Sequence, residues 1–197
     1  MELAAAVLII VLAIGLMGAS HGLRTGMLRS SRKRERTRVQ GRRHLDQGTQ
    51  LLNRAKSKEA ALEADKAISL DPKDAASHLL KAFALERQGH MVAALRSLNT
   101  ALWPPLAKSL SPSEIAEALL KRAEIAVGMK SKRRLDTSLA DLNASLAINP
   151  GNVKTHCLLG RCYEMKGLRD EARQAFRAAA AIDPESREIN QAVSRLS

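Results

Sequence analysis

The stretch that decides the fold is LLGRCYEMKGLRDEARQAFRAAAAIDP, from Leu158 to Pro184. It predicts two short amphipathic helices joined by a turn at Gly167. The two helices could approach closely because each carries small residues, with Phe176 filling the space beside them. The second helix should end before Pro184, since proline cannot continue a helix and disfavours helical geometry in the residue before it.

The same arrangement recurs upstream with a period of 34 residues. A shift by 34 positions moves Ser138, Leu142, Ser145 and Pro150 onto Ala172, Phe176, Ala179 and Pro184, in that order. The same shift moves Gly48, Ala60 and Ala67 onto Ala82, Ala94 and Ala101. Self-similarity at a fixed period predicts a stack of similar helical units.

A helix-turn-helix of this period resembles the tetratricopeptide repeat. The last copy carries the family's L-G-x-x-Y and A-x-x-x-F-x-x-A motifs, at Leu159, Gly160 and Tyr163 and at Ala172, Phe176 and Ala179. The resemblance implies an all-α, right-handed superhelical solenoid within residues 44–184, with about four repeats near 41–74, 75–108, 116–151 and 153–184. Residues 185–197 are apolar on one helical side, which predicts a capping helix over the last repeat.

The amino-terminal segment predicts one transmembrane helix. Residues 3–19 are uninterrupted by charge, which is at the short end of what a bilayer span requires. A cleaved signal peptide would carry positive charge before the apolar run, whereas Glu2 precedes it and the basic residues follow. We therefore expect an uncleaved signal anchor at residues 1–20; a cleaved signal, a transit peptide and a buried helix are the alternatives.

A basic segment follows the predicted anchor. Residues 24–43 carry nine Lys or Arg residues and one acid, which is most of the chain's net charge of +12. The positive-inside rule places these residues and the repeats in the cytosol. We expect a polar, irregular linker at 21–43 that contacts anionic lipid head groups through Arg29, Arg32, Lys33, Arg34, Arg36 and Arg38. Nucleic-acid binding is disfavoured, since no aromatic residue lies among these basic ones.

The sequence contains no motif for catalysis, a cofactor, a metal or a small-molecule substrate. Three histidines, His44, His78 and His156, fall at equivalent positions of different repeats, which indicates packing. Cys157 and Cys162 fall at small or apolar positions of one helix. We therefore expect a protein that is not an enzyme.

The resemblance implies that the first helix of each repeat lines a concave surface that binds a protein or peptide. The candidate binding residues are Leu45, Thr49, Leu79, Phe83, Lys121, Glu124, Arg161 and Met165. Some family members hold the terminal carboxylate of a chaperone with basic residues and asparagines. The matching positions lack that set, and Glu117 among them would repel an anion.

The expected function is a membrane-anchored adaptor or receptor with its repeats in the cytosol. The alternative is a structural subunit of a membrane complex without a separable groove, in which Phe83 serves packing alone. The sequence leaves the membrane open between the endoplasmic reticulum, the plasma membrane, the mitochondrial outer membrane and a plastid envelope.

Overall fold

The computed structural model describes residues 34–129 and 132–196. All regular secondary structure within these residues is helical. The helices are α1 (34–53), α2 (Ser57–Leu70), α3 (Ala75–Arg87), α4 (Met91–Ala101), α5 (Pro104–Ala107), α6 (Pro112–Gly128), α7 (Leu135–Ile148), α8 (Val153–Lys166), α9 (Arg169–Ile182) and α10 (Arg187–Arg195).

The helices form a solenoid. From α2 to α4 and again from α6 to α10, each helix packs against the next along the chain, and α6 also contacts α4 and α8. The buried residues form four apolar clusters rather than a single central core. The expected all-α solenoid is therefore confirmed for the described residues. Among them no helix has the length and apolar character to cross a bilayer, and the span predicted at residues 1–20 lies outside them.

Two glycines set how closely the helices pack. A Cβ atom on Gly160 of α8 would lie 2.7 Å from an atom of the Phe176 ring in α9. A Cβ atom on Gly48 of α1 would lie 2.5 Å from Leu80 Cδ2 in α3. Both distances are far below van der Waals contact, so a side chain at either position would require the facing side chain or the helix to shift.

The first helix begins earlier than the sequence analysis expected. Helical structure extends back to residue 34, into the segment that was expected to be an irregular linker. Within this extension Gly41 is the buried residue; it lies seven residues before Gly48 and therefore on the same helix face. A Cβ atom there would lie 3.7 Å from Leu70 Cβ at the end of α2. The packing of this face outweighs the strongly basic composition.

The turn of the first repeat differs from the turns of the second and fourth repeats at one equivalent position. Gly89 and Gly167 take positive φ angles of 81° and 79°. Ala55, which precedes Gly89 by one repeat length, takes a φ of 60° in the first repeat. The turn of the first repeat, just before α2 at Ser57, therefore has an alanine in left-handed geometry. This conformation costs about 1–2 kcal/mol for a residue with a Cβ atom.

The connector between the second and third repeats contains a short helix. The two prolines after Trp103 end α4 and begin α5, since proline cannot continue a helix but suits its first turn. Leu106 and Leu110 of this connector are buried in the apolar cluster that contains residues of α3, α4 and α6. A capping box formed by Ser111 and Glu114 starts α6.

A recurring hydrogen bond joins successive repeats. His78 Nε2 and His156 Nε2 lie 3.1 Å and 2.9 Å from the carbonyl oxygens of Pro72 and Pro150, six residues earlier. In the capping helix, Asn190 donates in the same way to the carbonyl of a closing proline, at 2.9 Å. These contacts give the two histidines a structural role.

Candidate functional site

A groove lies between α1, α3 and α6, the first helices of three repeats. Its volume is about 440 Å³. We call it the N-terminal groove, and its lining residues are Leu45, Asp46, Thr49, Leu52, Asn53, Ala76, Leu79, Leu80, Phe83, Glu86, Arg87, Glu114, Glu117 and Lys121. Five of the eight predicted binding residues are in this set.

The floor of the N-terminal groove is apolar. Phe83 is partly buried and packs against two apolar clusters, and its remaining surface lines the groove. Leu45 is partly buried in a similar way. Leu79 is only 6% exposed, so it supports the floor and offers a ligand little surface.

The two cations of the N-terminal groove have partners within the protein. Lys121 Nζ lies 3.3 Å from Glu86 Oε1 and 2.8 Å from Glu124 Oε2. Burial disfavours the charged form of Lys121, but its contacts with Glu124 and Glu86 outweigh this effect and raise the pKa of the ammonium group. Arg87 donates a hydrogen bond to the carbonyl of Leu52. The charge of Lys121 is therefore compensated by carboxylates, whereas Arg87 is exposed and keeps its positive charge.

The polar rim of the N-terminal groove is acidic. Asp46 and Glu117 are exposed, and neither makes an ion pair with another described residue. Thr49 is also exposed, and its hydroxyl donates to the carbonyl of Leu45 at 2.9 Å. The hydroxyl oxygen can still accept a hydrogen bond from a ligand.

A second groove lies between α6, α8 and α10. Its volume is about 700 Å³, and it includes the predicted residues Glu124 and Arg161. We call it the C-terminal groove. Met165, the last of the eight predicted residues, is 37% exposed and lines neither groove. The eight residues were expected on one surface, whereas seven of them lie in two separate grooves.

A chain of ion pairs runs across the surface shared by the two grooves. Glu86 of α3 contacts Lys121 of α6, Lys121 contacts Glu124, and Lys154 Nζ of α8 lies 3.6 Å from Glu124 Oε1. We call these four residues the ion-pair ladder. Sequence reasoning identified Lys121 and Glu124 but missed Glu86 and Lys154 as their partners. The sequence could have indicated this pairing, because all four residues lie on the first helices of consecutive repeats.

The cysteines are unsuited to nucleophilic chemistry. Burial raises the pKa of the Cys162 thiol to about 11 and also raises the pKa of Cys157. Both are therefore thiols near neutral pH, and the thiolate is the reactive form. Among the described residues, no group of three or more His, Cys, Asp or Glu side chains could hold a metal ion.

The predicted membrane-proximal residues are described in part. Arg34, Arg36 and Arg38 are exposed on α1, whereas Arg29, Arg32 and Lys33 lie outside the described residues.

Comparison with known proteins identifies the repeats. Two tetratricopeptide repeat models match residues 45–115 and 131–196, which together are more than half of the chain. A search of curated protein sequences gave no significant match.

Several solved structures share the fold. MamA from Desulfovibrio magneticus RS-1 is 18% identical, with 80% of this chain and 83% of that chain covered and a TM-score of 0.69. YrrB, described as a TPR protein with an unusual peptide-binding site, is 16% identical over 78% of this chain and 74% of its own, with a TM-score of 0.67. PilF of Pseudomonas aeruginosa is 18% identical over 83% of this chain and 68% of its own, with a TM-score of 0.64. With its helical hairpins stacked at the predicted period, the chain belongs to the tetratricopeptide repeat family.

Proposed function

We propose that this chain binds a peptide segment of a protein partner in the N-terminal groove and holds that partner at a membrane. The observation that carries the proposal is the groove itself, where three first helices bring Leu45, Thr49 and Phe83 around an apolar floor. An apolar anchor laid into a groove of this kind is a common mode of peptide recognition. The family consists generally of non-enzymatic scaffolds, which agrees with this role.

The test of the groove needs a substitution that blocks it without removing core packing. Leu79→Ala is unsuitable, because Leu79 is almost fully buried and its truncation would cost about 2–5 kcal/mol. Thr49→Trp is suitable, because Thr49 is exposed and the larger ring would occupy groove volume.

Thr100 provides a matched control. It is exposed on α4, donates to the carbonyl four residues earlier at 3.1 Å, and lines neither groove. The full chain and both variants are expressed in cells and cross-linked, and the bound proteins are identified by mass spectrometry. Thr49→Trp should lose its partner and Thr100→Trp should retain it. Equal retention by both variants would place the contact elsewhere, as expected for a structural subunit.

The membrane part of the proposal rests on the amino-acid pattern. An apolar segment at 1–20 followed by basic residues favours a single-pass anchor with the repeats in the cytosol. The exposed Arg34, Arg36 and Arg38 are then available to anionic head groups close to the membrane. A carboxyl-terminal fluorescent fusion tests this: externally added protease should degrade the fluorescent domain on intact membranes. Protection of that domain would reverse the topology, and its recovery in the soluble fraction would exclude the anchor.

A further inference from the structure

We propose that the partner segment bound in the N-terminal groove is basic and carries an apolar anchor residue. This inference rests on the proposed function and specifies the chemistry of the ligand. It follows from how charge is distributed around the groove.

The lining carries more acids than bases. The acids are Asp46, Glu86, Glu114 and Glu117, and the bases are Arg87 and Lys121. The bases are also the residues with internal partners: Lys121 lies between two carboxylates, and Arg87 donates to a backbone carbonyl. A ligand would therefore meet the unpaired carboxylates of Asp46 and Glu117 beside one exposed cation, Arg87, and the lining as a whole keeps an excess of negative charge.

The acidic rim contrasts with the chain as a whole, whose net charge is +12. The long-range field of a basic protein attracts anions, whereas the groove repels them at contact. An acidic peptide or a terminal carboxylate would be placed beside Asp46 and Glu117, and like charges held together disfavour binding. Lys or Arg side chains of a ligand would instead pair with these carboxylates at the rim.

The apolar part of the ligand follows from the floor. Phe83 and Leu45 each retain exposed surface inside a groove of about 440 Å³, with Leu79 beneath them. A Leu, Ile, Met or Phe side chain of the ligand would cover this surface, and its burial would supply most of the affinity. The rim charges then select among apolar peptides.

The C-terminal groove does not share this chemistry. Its lining contains Lys154, Arg161 and Arg195 as well as four acids, and Arg195 Nη2 lies 2.7 Å from Glu164 Oε1. The four acids of this groove are nearly balanced by its three bases, whereas the lining of the N-terminal groove has four acids and two bases. The inference therefore applies to the N-terminal groove alone.

The test is a selection of peptides on the full chain. A library of random short peptides displayed on phage is selected on the detergent-solubilised protein, and peptides that also bind Thr49→Trp are removed. Thr49→Trp is a neutral block, so the removal step does not itself favour either sign of charge. The remaining peptides should carry Lys or Arg around one or two large apolar residues.

The affinity of one such peptide is then measured by fluorescence anisotropy. The double variant Asp46→Lys/Glu117→Lys should bind it about tenfold more weakly, in line with two exposed charge contacts. The double variant Glu171→Lys/Glu185→Lys makes the same change in total charge at exposed positions outside both grooves and should bind as the original chain does.

The outcomes separate the two proposals. Groove-dependent peptides that are neutral or acidic would overturn the inference and leave the proposed function standing. An absence of any peptide sensitive to Thr49→Trp would overturn both. Equal weakening by both double variants would show a general charge effect and would also refute the assigned role of the rim.

Discussion

Substituting Gly160 by alanine tests the packing that defines each repeat. The new Cβ atom would lie 2.7, 2.8 and 2.9 Å from three atoms of the Phe176 ring. Phe176 is 3% exposed, so the ring is packed in the core and moving it would disturb its neighbours. Overpacking of this kind costs about 1–3 kcal/mol, while alanine gains about 1 kcal/mol over glycine in helix propensity. We expect a net loss of about 1 kcal/mol.

Gly128→Ala is the matched control. Gly128 is also helical, and a Cβ atom there would have no neighbour within 4 Å among the described residues. This variant should gain about 0.5 kcal/mol, because alanine restricts the unfolded chain more than glycine does. The free energy of unfolding is measured by urea denaturation of the full chain in detergent, with far-ultraviolet circular dichroism as the signal. In a parallel thermal unfolding experiment, each kcal/mol of stability should shift the midpoint temperature by about 2–4 °C for a chain of this size.

A double substitution assigns the loss to the predicted contact. In a Phe176→Leu background the ring is absent, so adding Gly160→Ala should cost less than it does in the original chain. The expected coupling is about 1 kcal/mol, within the range for residues in direct contact. Equal stability of Gly160→Ala and Gly128→Ala, or a coupling of zero, would show that α8 and α9 do not need this close approach.

Three further substitutions test local features of the fold. Ala55→Gly should stabilise the chain by about 0.5–1 kcal/mol in thermal unfolding, because glycine adopts the left-handed φ of 60° without a Cβ clash. The control Ala144→Gly, at an exposed helical position, should instead destabilise the chain by about 1 kcal/mol. Glu63 accepts hydrogen bonds from Lys66 and His44, which lower its pKa from 4.5, so its stabilisation is present above that value and is lost as the pH falls below it. Glu63→Gln should therefore cost about 1–3 kcal/mol at neutral pH, and a pH series of urea titrations should show the difference shrinking in acid. Thr155→Val should raise the thermal midpoint, with a gain of about 1 kcal/mol, because the buried Thr155 hydroxyl has no hydrogen-bond partner among the described residues.

Repeat architecture was predictable because it depends on local pattern. The spacing of Gly160, Phe176 and Pro184 predicts two helices, a close contact and a stop, and the structure contains all three. Each feature needs only residues within one repeat. The start of α1 was harder to predict, since the buried face around Gly41 lies within a strongly basic segment.

The candidate site was predictable only in part, because its properties depend on contacts between repeats. Lys121 was identified as a surface cation, but its pairing with Glu86 depends on the stacking of α3 against α6. Leu79 and Phe83 occupy neighbouring turns of one helix, yet one is buried and the other is partly exposed. The helix pattern places both residues on the inner side, and only the packing of α1 and α6 around them separates their roles.

The joint between the second and third repeats is held together differently from the other described joints. At the other described joints, a side chain of the following helix bonds the carbonyl of a closing proline, which is a directional contact to the backbone. Here Leu106 and Leu110 fill the space instead, and apolar contact is non-directional. The remaining bonds across it, from Lys121 to Glu86 and from Arg122 to Asn99, join flexible side chains. A shift of α6 relative to α3 would therefore disturb apolar packing and side-chain bonds at this joint, whereas a shift at the other described joints would also break a hydrogen bond to the backbone.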